Sequence, residues 1–195
     1  MPQLLPLCYY FGPMRVVEKS QLMAAAEIDR TLSRLAHEIV ERNGGTAGLS
    51  LIGIRRRGVP LSERLARAMQ GMDGSVVPVG ILDITLYRDD LSLVAPQPVV
   101  HSSDIPFSVD DQVIVLVDDV LYTGRTIRAA MNGLFDLGRA KRIELCVLID
   151  RGHRELPIEA QFVGRQVQTS DPEIIEVRLN EIDHEERVML VERVP

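Results

Sequence analysis

Two neighbouring carboxylates, Asp118 and Asp119, directly follow the apolar run Val113–Val117 and precede the turn Thr123-Gly124-Arg125-Thr126. This order predicts a buried strand, a polar loop at its carboxyl end and a helix packed back on the sheet. Free N–H groups at the helix start, a glycine and two threonine hydroxyls favour a bound phosphate. Because the carboxylates would repel that phosphate, they suit the hydroxyls of a sugar that carries it, or a metal shared with it. The pattern indicates a sugar-phosphate site, although two acids alone would be more typical of a solvated turn.

A second candidate is the basic loop Arg55-Arg56-Arg57, which lies between Gly53 and Gly58. Taken alone, three arginines between glycines are more often a solvated turn. Here they follow an apolar run and precede a predicted helix, so they fall at the sheet edge that holds the sugar-phosphate site. Guanidinium and backbone N–H donors at this place would hold a second, more highly charged phosphate.

The elements that must position these residues alternate along the chain. Apolar residues at helical spacing predict a helix over about residues 20–43, closed by Gly44-Gly45, and a second helix opened by Pro60. The predicted strands are Leu49–Ile54, Val76–Asp83, the run that ends at Asp118, Ile143–Ile149, Ile174–Leu179 and Val188–Arg193. Strands that alternate with helices predict an α/β fold with a doubly wound, mostly parallel sheet. Residues 85–111 contain prolines and little periodicity, which is typical of a long functional loop.

Length and composition fit one domain, which we place at residues 15–195. A chain of 195 residues with 46% hydrophobic content can bury a core without disulfides or metals. A net charge of −6 argues against nucleic-acid binding driven by net charge, but it leaves a local basic face open.

Residues 1–14 are apolar and lack the positive start of a signal peptide, so we expect a disordered or loosely packed extension, with Met14 as an alternative start. No stretch is long enough to span a membrane, and Cys146 lies in an apolar run far from Cys8, which predicts reduced thiols and a cytoplasmic location.

The strand, the two acids and the Thr-Gly-x-Thr turn resemble the phosphoribosyl pyrophosphate (PRPP) motif of type I phosphoribosyltransferases. The resemblance implies that fold, with helices flanking the sheet and a small hood beside it. It also implies that Asp118 and Asp119 form the catalytic pair and hold the ribose hydroxyls of PRPP. Mg²⁺ would be bound largely by the substrate, so no metal ligand is assigned to the protein. The residues implied to bind the 5-phosphate are Val120, Leu121, Tyr122, Thr123, Gly124, Arg125 and Thr126, and those implied to bind the pyrophosphate are Arg55, Arg56 and Arg57.

Two further segments, Asp83–Leu91 and Asp150–Ile158, together with Tyr122, narrow the resemblance to the PyrR family, which attenuates the pyrimidine operon and has uracil phosphoribosyltransferase activity. The resemblance implies conversion of uracil and PRPP to UMP and pyrophosphate. Purine salvage relatives usually carry Asp at the position of Tyr122, so orotate and hypoxanthine are less favoured as substrates. Arg88 is implied to lie on a mobile loop over PRPP, and Arg151 and Ile175 belong to the hood that would hold uracil. His153 is interpreted as structural rather than as a catalytic base.

The PyrR resemblance also implies a homodimer or higher oligomer that senses UMP or UTP and binds the leader RNA of the pyrimidine operon. RNA binding needs an exposed basic face. The candidate residues are Arg34, His37, Arg42 and Arg165. Neighbouring glutamates leave a solvated, salt-bridged face as the alternative. RNA-binding relatives carry Arg where this chain has Glu159, and the segment Ser92–Phe107 also departs from their pattern. A regulator with weak or no catalysis, and an enzyme that has lost RNA binding, therefore both stay open.

Overall fold

The computed structural model describes residues 15–87 and 103–194. The expectations for residues 1–14, for Arg88 and for residues 92–102 lie outside this part of the chain. The strands are β1 (Arg15–Ala24), β2 (Leu49–Ile54), β3 (Val79–Leu82), β4 (Val113–Leu121), β5 (Arg142–Asp150), β6 (Phe162–Gln166), β7 (Glu173–Arg178) and β8 (Arg187–Val194). The helices are α1 (Ala25–Asn43), α2 (Gly58–Asp73), α3 (Arg125–Phe135) and α4 (Asn180–Asp183), and Thr85–Tyr87 forms a 3₁₀ turn.

Five parallel strands form the main sheet, in the order β3-β2-β4-β5-β6. Alternate residues of its central strands enter two different apolar clusters, because successive side chains of a strand point to opposite faces. Leu51 and Val115 pack with α1 and α2, whereas Ile52 and Leu116 pack with α3. Both faces are therefore covered, which explains the nearly continuous apolar sequence of these strands. The doubly wound, parallel α/β fold is confirmed.

The strand order reverses between β2 and β4. From β2 the chain passes through α2 to the edge strand β3, and from β4 it proceeds in the other direction to β5 and β6. The loops that follow β2 and β4 consequently diverge and leave a crevice at the carboxyl ends of these strands. Open α/β sheets bind ligands at such a point.

A three-stranded antiparallel sheet, in the order β1-β8-β7, forms the hood. Ile175, Val177 and Val188 attach it to the cluster that contains α1 and α2. The prediction of a helix from residue 20 is wrong at its start, because the chain is a strand up to Ala24. Two irregularities in the pairing of β1 with β8 break the alternation of period two that would have revealed this strand. The helix begins at Ala25, and the Ala24 N–H donates to Glu27 Oε2 at 2.8 Å.

Strand β6, at one edge of the main sheet, was not predicted from the sequence. It offers only two apolar residues, Phe162 and Val163, before Gly164, which is too short a signal for a strand. A Cβ on Gly164 would lie 2.3 Å from the carbonyl oxygen of Leu148, so the glycine permits a close approach to β5. Strand β2 has its predicted bounds, the other predicted strands are present with shifted ends, and α2 begins at Gly58, ahead of Pro60. Within residues 15–87 and 103–194, no helix combines the length and apolarity needed to cross a bilayer.

Candidate active site

An open cleft of about 420 Å³ lies where the strand order reverses. It brings together the predicted arginine loop after β2 and the predicted carboxylates at the end of β4. The lining residues are Ile54, Arg55, Arg56, Arg57, Asp83, Ile84, Thr85, Asp118, Asp119, Val120 and Thr126. The cleft is therefore lined by both arginines and carboxylates, which suits a ligand that carries both phosphates and hydroxyl groups.

The two carboxylates are held in the wall of the cleft by strand β4. Asp118 is only 7% exposed, and its Oδ1 accepts a hydrogen bond from the Asp119 N–H at 2.9 Å. Burial, followed by the negative charge of Asp119, raises the pKa of Asp118 well above its usual value. Burial also raises the pKa of Asp119, and the positive charge of Arg57 opposes this shift. A buried and a half-buried carboxylate that repel each other favour a ligand that donates hydrogen bonds to them, such as a diol.

Two glycines allow the arginine loop to lie against β4. A Cβ on Gly58 would be 2.2 Å from the Val117 carbonyl oxygen, and a Cβ on Gly53 would be 2.5 Å from the Gly58 carbonyl oxygen. Any larger residue at either position would push the loop away from the carboxylates. Within the loop, the Arg55–Arg56 peptide bond is cis. Among the described residues, the buried Arg55 Nε has no hydrogen-bond partner.

The loop after the carboxylates surrounds a second cavity of about 320 Å³, lined by residues 120–127. This cavity shares Val120 and Thr126 with the cleft. Gly124 has φ +90°, which L side chains rarely adopt, and it immediately precedes α3. The first N–H groups of a helix have no partner within the helix and carry a partial positive charge, so they point at any anion in the cavity. The Leu121 side chain packs in the core and can contribute only backbone here.

The segment after β5 is docked on this loop. Arg154 donates to the Tyr122 carbonyl oxygen at 2.8 Å and to Asp150 Oδ2 at 2.5 Å. The Arg151 N–H donates to the Leu121 carbonyl oxygen at 3.1 Å, and Arg125 Nε donates to Glu155 Oε2 at 2.6 Å. Backbone and side-chain bonds thus join the segment 151–158, which follows β5, to the predicted phosphate loop. These bonds couple the positions of the two segments.

Arg151 is buried between the hood and the phosphate loop. Its Nη2 donates to the Glu173 carbonyl oxygen at 2.8 Å, and its guanidinium carbon lies 4.0 Å from the ring centroid of Tyr122. Burial lowers the pKa of Arg151. His153 Nε2 hydrogen-bonds the Thr169 carbonyl oxygen at 2.6 Å, which gives this histidine a structural partner. Ile175 packs in the core and pairs with Leu190 of β8, so its side chain is not among those lining the cleft.

Asp83 and Thr85 line the cleft but were not predicted as site residues. Asp83 is 8% exposed, and its Oδ1 accepts from the Thr85 N–H at 2.8 Å and from the Thr85 hydroxyl at 2.6 Å. The signal was present in the sequence, because Asp83 ends a predicted strand. The rule that strand ends share one sheet edge, applied to β3 as it was to β2 and β4, would have found it.

The four residues predicted to bind RNA lie together on a different surface, here called the basic face, which comprises Arg34, His37 and Arg42 of α1 and Arg165 of β6. Arg34 Nη2 donates to the Gly164 carbonyl oxygen at 2.7 Å, and Arg42 lies 5.8 Å from the ring centroid of Phe162. Arg165 donates to the Leu22 carbonyl oxygen. The contacts of Arg34 and Arg42 join α1 to the edge strand β6, and that of Arg165 joins β6 to β1.

Glu159 lies apart from the basic face. It lines an apolar pocket together with Leu116, Ile127 and Met131, which belong to the α3 side of the sheet. Arg34, His37 and Arg42 of the basic face belong to α1, which covers the opposite face of the sheet. Among the described residues, Glu159 forms no hydrogen bond or ion pair with an arginine of the basic face.

Comparison with known proteins agrees with this geometry. A family model described as phosphoribosyl transferase domain matches residues 19–181. The Bifunctional protein PyrR of Pelotomaculum thermopropionicum is 62% identical over 175 residues, which are 90% of this chain and 97% of that relative. The chain belongs to the PyrR family of phosphoribosyltransferases. Another PyrR protein, from Thermus thermophilus, is 58% identical over the same shares of the two chains.

Solved structures show the same fold in more distant proteins. A hypoxanthine phosphoribosyltransferase of Trypanosoma cruzi superposes with a TM-score of 0.70 at 18% identity, covering 91% of this chain and 92% of that one. The corresponding Staphylococcus aureus enzyme gives a TM-score of 0.66 at 18% identity, covering 91% and 94%. At this identity the likeness establishes the type I phosphoribosyltransferase fold, while the PyrR relatives define the family within it.

Proposed function

We propose that the cleft transfers the phosphoribosyl group of PRPP to uracil, with Asp118 and Asp119 as the catalytic pair. The observation that carries this assignment is the carboxylate pair, with Asp118 buried, between a three-arginine loop and a glycine-containing helix start. Three adjoining binding regions in this order suit the pyrophosphate, ribose and 5-phosphate of one PRPP molecule. As a PyrR protein, the chain is a uracil phosphoribosyltransferase and a regulator of pyrimidine genes; the residue roles below are our own assignment.

The reaction replaces one bond at C1 of the ribose. The C1–O bond to pyrophosphate breaks and its electron pair leaves with pyrophosphate, while N1 of uracil forms the new bond to C1 and loses its proton. Positive charge develops on the ribose ring between the two events. Asp118 and Asp119 accept hydrogen bonds from the ribose hydroxyls and place negative charge beside that ring. Most of the rate enhancement then comes from positioning and electrostatics rather than from covalent catalysis.

The leaving pyrophosphate is assigned to Arg55, Arg56 and Arg57. PRPP enters as its Mg²⁺ complex, in which the metal neutralises part of the pyrophosphate charge. Among residues 15–87 and 103–194, no group of three or more His, Cys, Asp or Glu side chains is arranged to hold a metal ion. Asp118 and Asp119, as oxygen donors beside the ribose subsite, fit a metal that is carried by the substrate.

The 5-phosphate and the base are assigned to the two regions joined by Arg154. The loop from Val120 to Thr126 receives the phosphate at the start of α3. Uracil is assigned to the hood segment beside Tyr122 and Arg151, where an aromatic ring stands in place of the carboxylate usual in purine enzymes. This arrangement predicts a preference for pyrimidines.

The test of this function is the initial rate of UMP and pyrophosphate formation from uracil, PRPP and Mg²⁺. Orotate, hypoxanthine and guanine serve as competing bases under identical conditions. We expect turnover with uracil at a rate at least about 10²-fold above the other bases, because a site built to hydrogen-bond one base leaves polar groups unpaired with another. Turnover of hypoxanthine at an equal rate would contradict the assignment of the base subsite.

Leader RNA binding is the second function, and we assign it to the basic face. The observation that favours this surface is the clustering of Arg34, His37, Arg42 and Arg165 among residues that do not line the cleft. UMP or UTP would bind in the cleft and change RNA affinity. Binding of pyrimidine leader RNA with and without UMP, at fixed salt, tests both statements. A homo-oligomeric state and a cytoplasmic location stay predictions from the sequence and the family.

A further inference from the structure

Arg57, the last arginine of the loop after β2, forms a two-bond ion pair with Asp183 of α4, the short helix that connects β7 to β8 and is counted here with the hood. Its Nε donates to Asp183 Oδ2 at 3.1 Å, and its Nη2 donates to Oδ1 at 2.7 Å. The two residues are 126 positions apart in the sequence, and Asp183 is the last residue of α4. Their side chains are only 31% and 20% exposed, so the pair is partly shielded from solvent. A planar two-bond contact fixes the direction of the guanidinium as well as its distance.

The pair leaves part of the Arg57 guanidinium free to contact a ligand. Arginine has five N–H donors, and the contact with Asp183 occupies the edge formed by Nε and one hydrogen of Nη2. Three donors, including both on Nη1, are not used in this contact. Arg57 lines the cleft, and its charge acts on Asp119. The guanidinium is therefore held by Asp183 while it lines the same cleft as the carboxylate pair.

Asp183 is itself fixed by the backbone of α4. Its Oδ2 accepts from the Leu179 N–H at 2.9 Å, and its own N–H donates to the Leu179 carbonyl oxygen at 2.7 Å. Burial acts to raise the pKa of Asp183, but the bonds from Arg57 and Leu179 outweigh it, so the pKa is lowered. The carboxylate thus stays charged and stays in place at neutral pH.

We propose that Asp183 is a positioning residue that orients the Arg57 guanidinium toward the pyrophosphate of PRPP. Helix α4 of the hood thereby influences how tightly the arginine loop of the main sheet binds PRPP. This inference rests on the proposed function, in which Arg57 binds pyrophosphate. Asp183 does not line the cleft, so it acts on PRPP only through Arg57.

A neighbouring ion pair provides a matched control. Arg64 of α2 donates to Glu181 and Glu186, so it also joins α2 to the hood. Arg64 and Glu181 are not among the residues that line the cleft. Glu181→Gln therefore weakens an attachment of α4 of the same kind as Asp183→Asn does, without altering any contact of Arg57.

The experiment measures KM for PRPP, the inhibition constant of pyrophosphate, KM for uracil and kcat in these variants. We expect Asp183→Asn to raise KM for PRPP and the pyrophosphate inhibition constant by about tenfold, because the amide cannot accept both guanidinium bonds. The KM for uracil and kcat should stay within about threefold, and Glu181→Gln should leave all four constants within about twofold. A purely structural role for Asp183 would instead raise both KM values together, or change them equally in the Glu181 variant, and either outcome would overturn the inference.

A double-mutant cycle separates this inference from the function on which it rests. In an Arg57→Ala background, Asp183→Ala should cause no further rise in KM for PRPP, because the side chain on which it acts is gone. A rise equal to that in the wild-type background would overturn the positioning role alone. If Arg57→Ala leaves KM for PRPP unchanged, the assignment of the arginine loop in the proposed function fails as well. Should Asp183→Ala not fold, Asp183→Asn, which keeps an oxygen for the Leu179 N–H, completes the same cycle.

Discussion

The cleft and the basic face both depend on charged side chains, but they hold them in different ways. In the cleft, Asp118 is 7% exposed beside a second carboxylate, and burial raises the pKa of both. On the basic face, Arg34 and Arg42 are 46% and 56% exposed, and they bond to backbone carbonyls or to carboxylates. The cleft therefore carries charge at a cost in stability, whereas the arginines of the basic face also contribute to the stability of the fold. Substitutions in the cleft should therefore lower turnover, whereas substitutions on the basic face should lower RNA affinity together with stability.

The largest effect is expected from Asp118→Asn combined with Asp119→Asn. The neutral amides remove the negative charge beside the developing ribose cation, so kcat/KM for uracil and PRPP should fall by about 10³-fold or more. Leader RNA binding without nucleotide should stay within about twofold, because the basic face lies elsewhere. Steady-state kinetics and an RNA titration on the same preparation check both values. Near-normal turnover in the double variant would show that Asp118 and Asp119 have no catalytic role.

Gly58→Ala tests whether the arginine loop must lie against β4. The new Cβ would be 2.2 Å from the Val117 carbonyl oxygen, so the loop must shift. We expect a rise in KM for PRPP together with a loss of about 2 kcal/mol in the free energy of unfolding. Gly71→Ala, on the same helix with no atom within 4 Å of the new Cβ, is the control and should gain about 0.5 kcal/mol. Equal effects of the two substitutions would show that the close approach at Gly58 is unimportant.

Arg34→Glu tests the double role of the basic face. Reversal of this charge should weaken leader RNA binding by about tenfold without making that binding more dependent on salt. Turnover of uracil and PRPP should stay nearly unchanged. It should also lower the free energy of unfolding by about 1 kcal/mol, because the bonds to the Val163 and Gly164 carbonyl oxygens are lost. Arg139→Glu, at an exposed position between α3 and β5, is the charge-matched control. Equal loss of RNA affinity in both variants would indicate that only net charge matters.

The smallest effect concerns stability and pH at Asp118. Because burial raises the pKa of Asp118, the folded protein holds a proton there at pH values where the unfolded chain has lost it. Stability therefore decreases as the pH rises from about 4 through the raised pKa. Asp118→Asn removes this penalty and should stabilise the protein at pH 7 by about 1–3 kcal/mol, with a smaller gain near pH 4. Urea unfolding at the two pH values measures the difference, with Asp171→Asn, at an exposed position, as the control. A destabilised Asp118→Asn protein at pH 7 would contradict this view of the cleft.

The main sheet could be predicted from the sequence more completely than the hood. Strands such as β2 and β4 are buried on both faces, so their apolar runs are visible without knowledge of their partners. Strand β1 has exposed Val16 and Val17 and two irregularities in its pairing, and β6 has only two apolar residues, so tertiary pairing decides both.

The same distinction applies to the candidate site. Asp118, Asp119 and the arginine loop were predicted because each follows a visible strand, and the structure brings them together in one cleft. The pairing of Arg57 with Asp183 could not be predicted, because it joins the main sheet to a helix of four residues far along the chain. Long-range ion pairs of this kind have no local sequence signal.

The catalytic role of the carboxylate pair is tested by the initial rate of UMP formation from uracil and Mg²⁺-PRPP in the wild-type chain and in the Asp118→Asn, Asp119→Asn variant. We expect uracil-specific turnover in the wild type and its near-complete loss in the variant, which should remain folded and still bind leader RNA. Absence of uracil turnover in the folded wild-type protein, or equal rates in the two proteins, would contradict this expectation.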